Sequence, residues 1–191
     1  MLPLASPPDP QMRHDNPDGF TLIELLLVVT IIGIIAAIAI PGLLRARMSG
    51  NEASAIASLR IINSSQHAYM SSCGNGYYAS TLPILAEPAP AGAGFISPDL
   101  GAAVTIDKSG YTLTMARGSE ATGASRNGCN PSGTAANLFS SYYATNEPIT
   151  PGSTGVRWFY TNMLGAIYFA TTNAFGGQTN GSVPPSAGQV L

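Results

Sequence analysis

Hydrophobic and polar positions divide this chain into three regimes. From Leu25 to Leu44, twenty residues pass without a charge, LLLVVTIIGIIAAIAIPGLL, with apolar side chains on every side of a helix drawn through them. As helix the run reaches about 30 Å, one hydrocarbon thickness. Beyond Arg45 the period changes. In RARMSGNEASAIASLRIINSSQHAYM, the residues Ala55, Leu59, Ile62, Gln66 and Tyr69 recur at intervals of three and four, with polar residues opposite. That spacing predicts an amphipathic helix. Gly50 interrupts it mildly, at about 1 kcal/mol relative to Ala. One helix from Phe20 to about Met70 would be roughly 75 Å long, apolar all round in its first half and two-faced in its second.

The third regime begins at SSCGNG, where Gly74 and Gly76 stop the helix. The rest is rich in Gly, Ser, Thr, Ala and Pro. Leu82–Ala86 suggests a short helical turn, and YTLTMA (Tyr111–Ala116) alternates as a half-buried strand. LFSSYYA (Leu138–Ala144) reads as one more strand. VRWFY and AIYFATT flank the turn-forming TNMLG and give the strongest hairpin signal in the chain. The expectation is α+β: a long N-terminal helix carrying a small antiparallel sheet of three or four strands. The tail, GGQTNGSVPPSAGQVL, reads as flexible loop.

Composition sharpens this picture. With 191 residues the chain suits one domain plus an anchor. Only 9% of residues are charged, and from Phe20 onward acidic and basic side chains cancel. The body therefore offers no basic field for nucleic acid, which excludes that partner. The two cysteines, Cys73 and Cys129, lie beyond the apolar run, where an exported segment favours a disulfide over two free thiols. Closing that loop is worth about 4 kcal/mol on the loop-entropy model.

One residue resists the simplest accounts of the apolar run. Glu24 stands at its start, and a carboxylate in hydrocarbon costs a few kcal/mol even on the gentler insertion scales. A secretory signal peptide accounts for Arg13 ahead of the run and for the small-x-small pattern AIA at Ala37–Ala39, but not for Glu24. A plain transmembrane anchor accounts for the length alone.

A third account covers the carboxylate. The stretch GFTLIELLLVVTIIGIIAAIAIP closely resembles the N-terminus of type IV prepilins and of type II secretion pseudopilins, with Phe20, Glu24, Gly33 and Pro41 matching in type and spacing. The resemblance implies cleavage after Gly19 by a prepilin peptidase and N-methylation of Phe20 by the same enzyme class. It also implies a role for Glu24 in assembly. Cleavage would expose an α-amine, mostly protonated at neutral pH, at a helix start whose backbone N–H groups also lack partners. In a dry bundle of such helices, Glu24 of one subunit neutralises the amine of its neighbour. Gly33 and Ala37 form a small-x-x-x-small pair suited to close helix packing. Pro41 removes an N–H and strains the turn before it, so Gly33–Pro41 is the weakest stretch of the helix; the resemblance implies melting there in the fibre.

The leader departs from the family pattern. Asp18 occupies the place where a basic residue is usual, and Asp9 and Asp15 add further negative charge. The extension MLPLASPPDPQ shows no structural period and reads as disordered. Starting at Met12 instead would give the more ordinary leader MRHDNPDG.

Nothing in the chain points to catalysis, a cofactor or a metal: there is no paired-carboxylate or GxSxG signature, and His67, the single histidine after Gly19, stands on a polar helix position. No Asp or Glu follows Glu147, which disfavours the calcium-holding acidic loop of the major pseudopilin. Asn63-Ser-Ser and Asn180-Gly-Ser match the N-glycosylation pattern by chance in a bacterial export context. The sequence thus reads as a leader (1–19), a transmembrane or filament-core helix (20–44), its amphipathic continuation (45–72) and a β-rich head (73–191). The expected function is a structural subunit, not an enzyme, of a type IV pilus or pilus-like filament. Its partners would be other pilin subunits, the prepilin peptidase, the inner-membrane assembly machinery and the membrane. It would sit in the bacterial inner membrane before assembly and in a surface or periplasmic filament afterwards. A secretion pseudopilin and a signal-anchored binding or enzymatic domain are the alternatives.

Overall fold

The computed structural model of this chain describes residues 19–90 and 92–191. Residues 1–18, which hold Asp18, the alternative start Met12 and all of the expected leader but Gly19, lie outside the described residues. The chain divides into two compact units, Met1–Pro41 and Gly42–Leu191.

Helix α1 runs from Leu22 to Ser72 without interruption, through Gly33, Pro41 and Gly50. Among the described residues it is the one helix long and apolar enough to cross a membrane. In the first unit its side chains are almost all exposed: Leu25 is 59% and Ile38 77% accessible. No Cβ added at Gly33 would meet another atom within 4 Å. An apolar surface with nothing against it requires a partner, whether lipid or protein.

In the second unit the expected stripe is the buried stripe. Ala55, Leu59, Ile62, Gln66 and Tyr69 are buried against the sheet and its loops. Gln66 explains itself: its Nε2 donates to the Ala79 carbonyl at 2.8 Å and its Oε1 accepts from the Ala79 N–H at 3.0 Å. It pairs with β1 (Tyr78–Ala79) much as a neighbouring strand would, so its burial leaves no polar atom unsatisfied. Asn63 works similarly, donating to the Gly165 carbonyl and the Thr161 hydroxyl and accepting from the Tyr142 phenol. After Ser72 the chain turns through Asn75 and Gly76, both at positive φ, and the Gly76 N–H reaches back to the Met70 carbonyl.

Helix α2 (Leu82–Ala86) follows where the sequence suggests a helical turn. The strands are β2 (Thr105–Lys108), β3 (Tyr111–Arg117), β4 (Leu138–Phe139), β5 (Tyr142–Pro148), β6 (Trp158–Asn162), β7 (Ile167–Ala170) and β8 (Gln189–Val190). Six of them form one antiparallel sheet in the order β2-β3-β5-β6-β7-β8, and β1 pairs with β4 separately. The sheet is thus wider than three or four strands. The extra members are short or weakly apolar. β2 carries only Ile106 toward the core side and is joined to β3 by Ser109-Gly110, both at positive φ, the conformation of a two-residue hairpin turn. Leu138–Ala144 is not one strand: the chain leaves β1 at Ser140–Ser141 and enters the main sheet at Tyr142. The TNMLG hairpin forms as expected, with Trp158 opposite Ala170 and Gly165 at positive φ.

The sheet has two working faces. Tyr111, Leu113, Met115, Tyr142, Ala144 and Phe159 point to the helix side and join the main core. On the other face Tyr160, Tyr168 and Phe175 form a second cluster, flanked by Tyr143 and Trp158. The tail covers this second cluster and is therefore not a free loop. Phe175 is 2% exposed, Asn162 Nδ2 donates to the Val183 carbonyl at 2.6 Å, and the Leu191 N–H donates to Ile167.

Candidate functional site

At the head of α1, Phe20 is 75% exposed and Gly19 has open space around it. Glu24 lies one turn in. Its Oε2 accepts from the Thr21 N–H at 2.9 Å and the Thr21 hydroxyl at 2.6 Å, while the Thr21 Oγ1 accepts from the Glu24 N–H at 3.3 Å. This is a reciprocal capping box, Thr-x-x-Glu, which satisfies two of the helix's orphan donors. Hydrophobic period does not reveal it, although Thr21-Leu-Ile-Glu24 carries the local pattern openly. A capping box gives a transmembrane anchor a local reason to hold Glu24, which the plain-anchor account had lacked. Among the described residues, Oε1 of Glu24 accepts no hydrogen bond.

Ile23, Leu27 and Val28 join Phe20 and Glu24 around a shallow recess on the exposed helix surface. The site is thus a carboxylate oxygen and a large apolar side chain, set together on a helix surface that no other element covers among the described residues. Farther along, Gly33 and Ala37 lie one turn apart on one face, both exposed, and Pro41 sits within the helix. The structure brings Phe20 and Glu24 together and leaves Gly33, Ala37 and Pro41 as a separate stretch.

The head contributes fastenings rather than chemistry. Cys73 and Cys129 are joined, with Cα atoms 4.8 Å apart, tying the end of α1 to the loop after β3. Beside them Tyr69 donates to Asn130 Oδ1 at 2.8 Å, and burial pushes the Tyr69 phenol up to about 12. At the other end of the amphipathic segment Glu52, buried, takes the Arg157 guanidinium at 2.7 Å and the backbone N–H groups of Val156 and Arg157. Periodicity could not reveal Glu52, because a charge on a helix reads as solvent-facing until its partner, more than a hundred residues away, is placed. On the surface, Lys108 donates to Asp99 at 2.6 Å, and that hydrogen bond leads the effects holding the Asp99 carboxyl down near 2. His67 is exposed, edge-on to Tyr78. Asn63 is buried and fully bonded, which removes it as a glycan acceptor in the folded chain. Among the described residues no cluster of three or more His, Cys, Asp or Glu could hold a metal.

With this geometry in place, comparison with known proteins is decisive for the N-terminal segment. Residues 16–40 match the prokaryotic N-terminal methylation motif. The segment carries a methylation motif of the prokaryotic N-terminal type. The chain is 60% identical over 37 residues to the type IV wide pilus major component PilA4 of Thermus thermophilus, covering 19% of this chain and 28% of that protein. It is 43% identical over 53 residues to the type IV major pilin protein PilA of Myxococcus xanthus, covering 28% of this chain and 24% of that protein. The matched stretch thus spans about a quarter of each relative's length. Motif and relatives together support the type IV pilin family. The long helix with an antiparallel sheet beyond it is consistent with the pilin fold. No solved structure matches the chain.

Proposed function

We propose that this chain is a structural subunit of a type IV pilus, not an enzyme. In this reading a prepilin peptidase cuts after Gly19 and methylates the amine of Phe20. Residues 20–44 hold the subunit in the bacterial inner membrane and later form the filament core. Residues 45–72 carry the β-rich head, 73–191, outward. The observation that carries the reading is an apolar helix segment, its side chains almost all exposed, whose one charge, Glu24, sits at its head inside a methylation motif.

The capping box refines the part played by Glu24. Thr21 occupies one carboxylate oxygen and orients the side chain beside the helix start, while the other oxygen is left to accept. A neighbouring subunit's new α-amine supplies the donor there. Charge-assisted pairing of this kind strengthens when water is excluded. A charge that is costly in a lone helix thus becomes favourable in a bundle, and it sets the register. Gly33 and Ala37 let helices approach closely, and Gly33–Pro41 is the segment that yields when they pack.

The test is Glu24→Ala with surface fibres scored by electron microscopy. The expected result is stable, membrane-inserted subunit and loss of fibres; normal fibres would refute the pairing. A type II secretion pseudopilus is the rival, and long extracellular fibres in the unmutated strain decide against it.

A further inference from the structure

Asn-Gly occurs three times in the chain, at Asn75-Gly76, Asn127-Gly128 and Asn180-Gly181. In this dipeptide the glycine nitrogen, with no Cβ to shield it, can attack the preceding side-chain amide. Loss of the proton on that nitrogen limits the attack. In two of the pairs the glycine N–H faces a neutral carbonyl: Gly76 donates to Met70 at 3.0 Å and Gly128 to Gly133 at 2.6 Å. The third differs. The Gly181 N–H donates to a carboxylate, Glu120 Oε1, at 3.0 Å.

The electrophile is prepared as well. Asn180 Oδ1 accepts from the Ser182 N–H at 2.9 Å and from the Ser182 hydroxyl at 3.1 Å. Two donors on an amide oxygen stabilise the negative charge that attack on its carbon develops. The dipeptide is also held from both sides. The Tyr160 hydroxyl donates to the Asn180 carbonyl, the Met163 N–H donates to the Gly181 carbonyl at 3.2 Å, and Ser119 N–H donates to Thr179 at 2.9 Å. Only glycine fits at 181, because a Cβ there would lie 2.5 Å from the Tyr142 carbonyl oxygen. Glu120 is ionised and able to act as base. Burial pushes its carboxyl up, but hydrogen bonds led by that from the Ser141 hydroxyl, 2.6 Å from Oε1, outweigh burial and hold it below the ordinary range.

We infer that Asn180-Gly181 is a self-modifying site, at which Glu120 acts as general base and Ser182 as oxyanion donor for deamidation of Asn180. The Gly181 nitrogen attacks Asn180 Cγ as its proton passes to Glu120. The tetrahedral intermediate places its charge on Oδ1 under the two Ser182 donors. Collapse breaks the Cγ–Nδ2 bond, and ammonia leaves with the proton returned by Glu120. The resulting succinimide is opened by water at either carbonyl, giving aspartate or isoaspartate at 180. The change adds a negative charge at the residue before Gly181, whose N–H Glu120 accepts, and like charges at short range weaken the tail's hold on the sheet.

Folded full-length protein held at neutral pH and sampled by peptide mass mapping and isoaspartate labelling tests this. Asn180 should convert about a hundredfold faster than Asn75 and Asn127, in line with general-base assistance. Glu120→Gln should bring Asn180 down to the rate of the other two, and Ser182→Ala should slow it partially. In denatured chain all three should convert alike. Loosening of the tail alone would make Glu120→Gln faster, since mobile Asn-Gly pairs react more readily. A rate in that variant equal to or above the unmutated rate, or an Asn180 that outlasts the other two, would overturn the assignment.

Discussion

Two carboxylates on α1 show how one residue type serves opposite ends. Glu24 caps its own helix through Thr21 and keeps an oxygen free at an exposed, apolar helix head. Glu52 is spent entirely within the chain, on Arg157 and two backbone N–H groups. Arg157 in turn lies over the rings of Phe159 and Phe169, at 5.5 and 5.4 Å from their centroids. Removing the carboxylate leaves a partly solvated guanidinium and two backbone N–H groups without their acceptor. Glu52→Ala should therefore cost about 2 kcal/mol, reduced from the value for a fully buried pair because Arg157 is partly solvated. Denaturant unfolding of detergent-solubilised protein measures it, and an unchanged midpoint would show the clamp to be idle. Neither capping nor clamp follows from hydrophobic period. The first was readable in Thr21-x-x-Glu24 as a local pattern, whereas the second depends on a contact between positions 52 and 157 that no local pattern carries.

Elements with a strong period were legible in the sequence, and those held by single hydrogen bonds were not. The stripe from Ala55 to Tyr69, the turn at Leu82 and the β6–β7 hairpin all sit where spacing puts them. β8 is two residues of exposed edge strand, held by pairing with Tyr168 and Phe169. A strand so short has no period to read. The tail around it is fixed by isolated bonds from Asn162, Met163 and Ser119 and by one buried ring, Phe175, so a composition rich in Gly and Ser concealed an ordered cover. The disulfide was inferable from export and cysteine count, and it fastens the end of α1 to the loop containing Asn130. Replacing Cys73 and Cys129 together by Ser should destabilise the head by about 4 kcal/mol, the loop-closure value for this separation. Thermal melts with and without the pair check this, and equal melting temperatures would contradict it.

For the whole molecule, acid sensitivity belongs to the head. Asp99 and Glu120 are both held below their ordinary carboxyl range. A depressed folded-state pKa stabilises above the unfolded value and is lost as pH falls through the folded one. Stability should therefore be steady at neutral pH and decline from about pH 4 toward pH 2, where these carboxylates take up protons. Denaturation midpoints across that window should fall with pH; a flat profile would mean neither carboxylate is needed. The two units of the chain answer to different solvents. Among the described residues the head's buried polar side-chain atoms are all hydrogen-bonded, whereas the apolar half of α1 leaves its surface and one carboxylate oxygen open.

That contrast has meaning only if cells remove the leader and make a free amine at Phe20. Sequencing and mass analysis of the N-terminus of protein recovered from cells measures this directly. The account predicts N-methylphenylalanine from Phe20 as the first residue. An intact leader, or a chain beginning at Ile40 after the Ala37–Ala39 pattern, would contradict it.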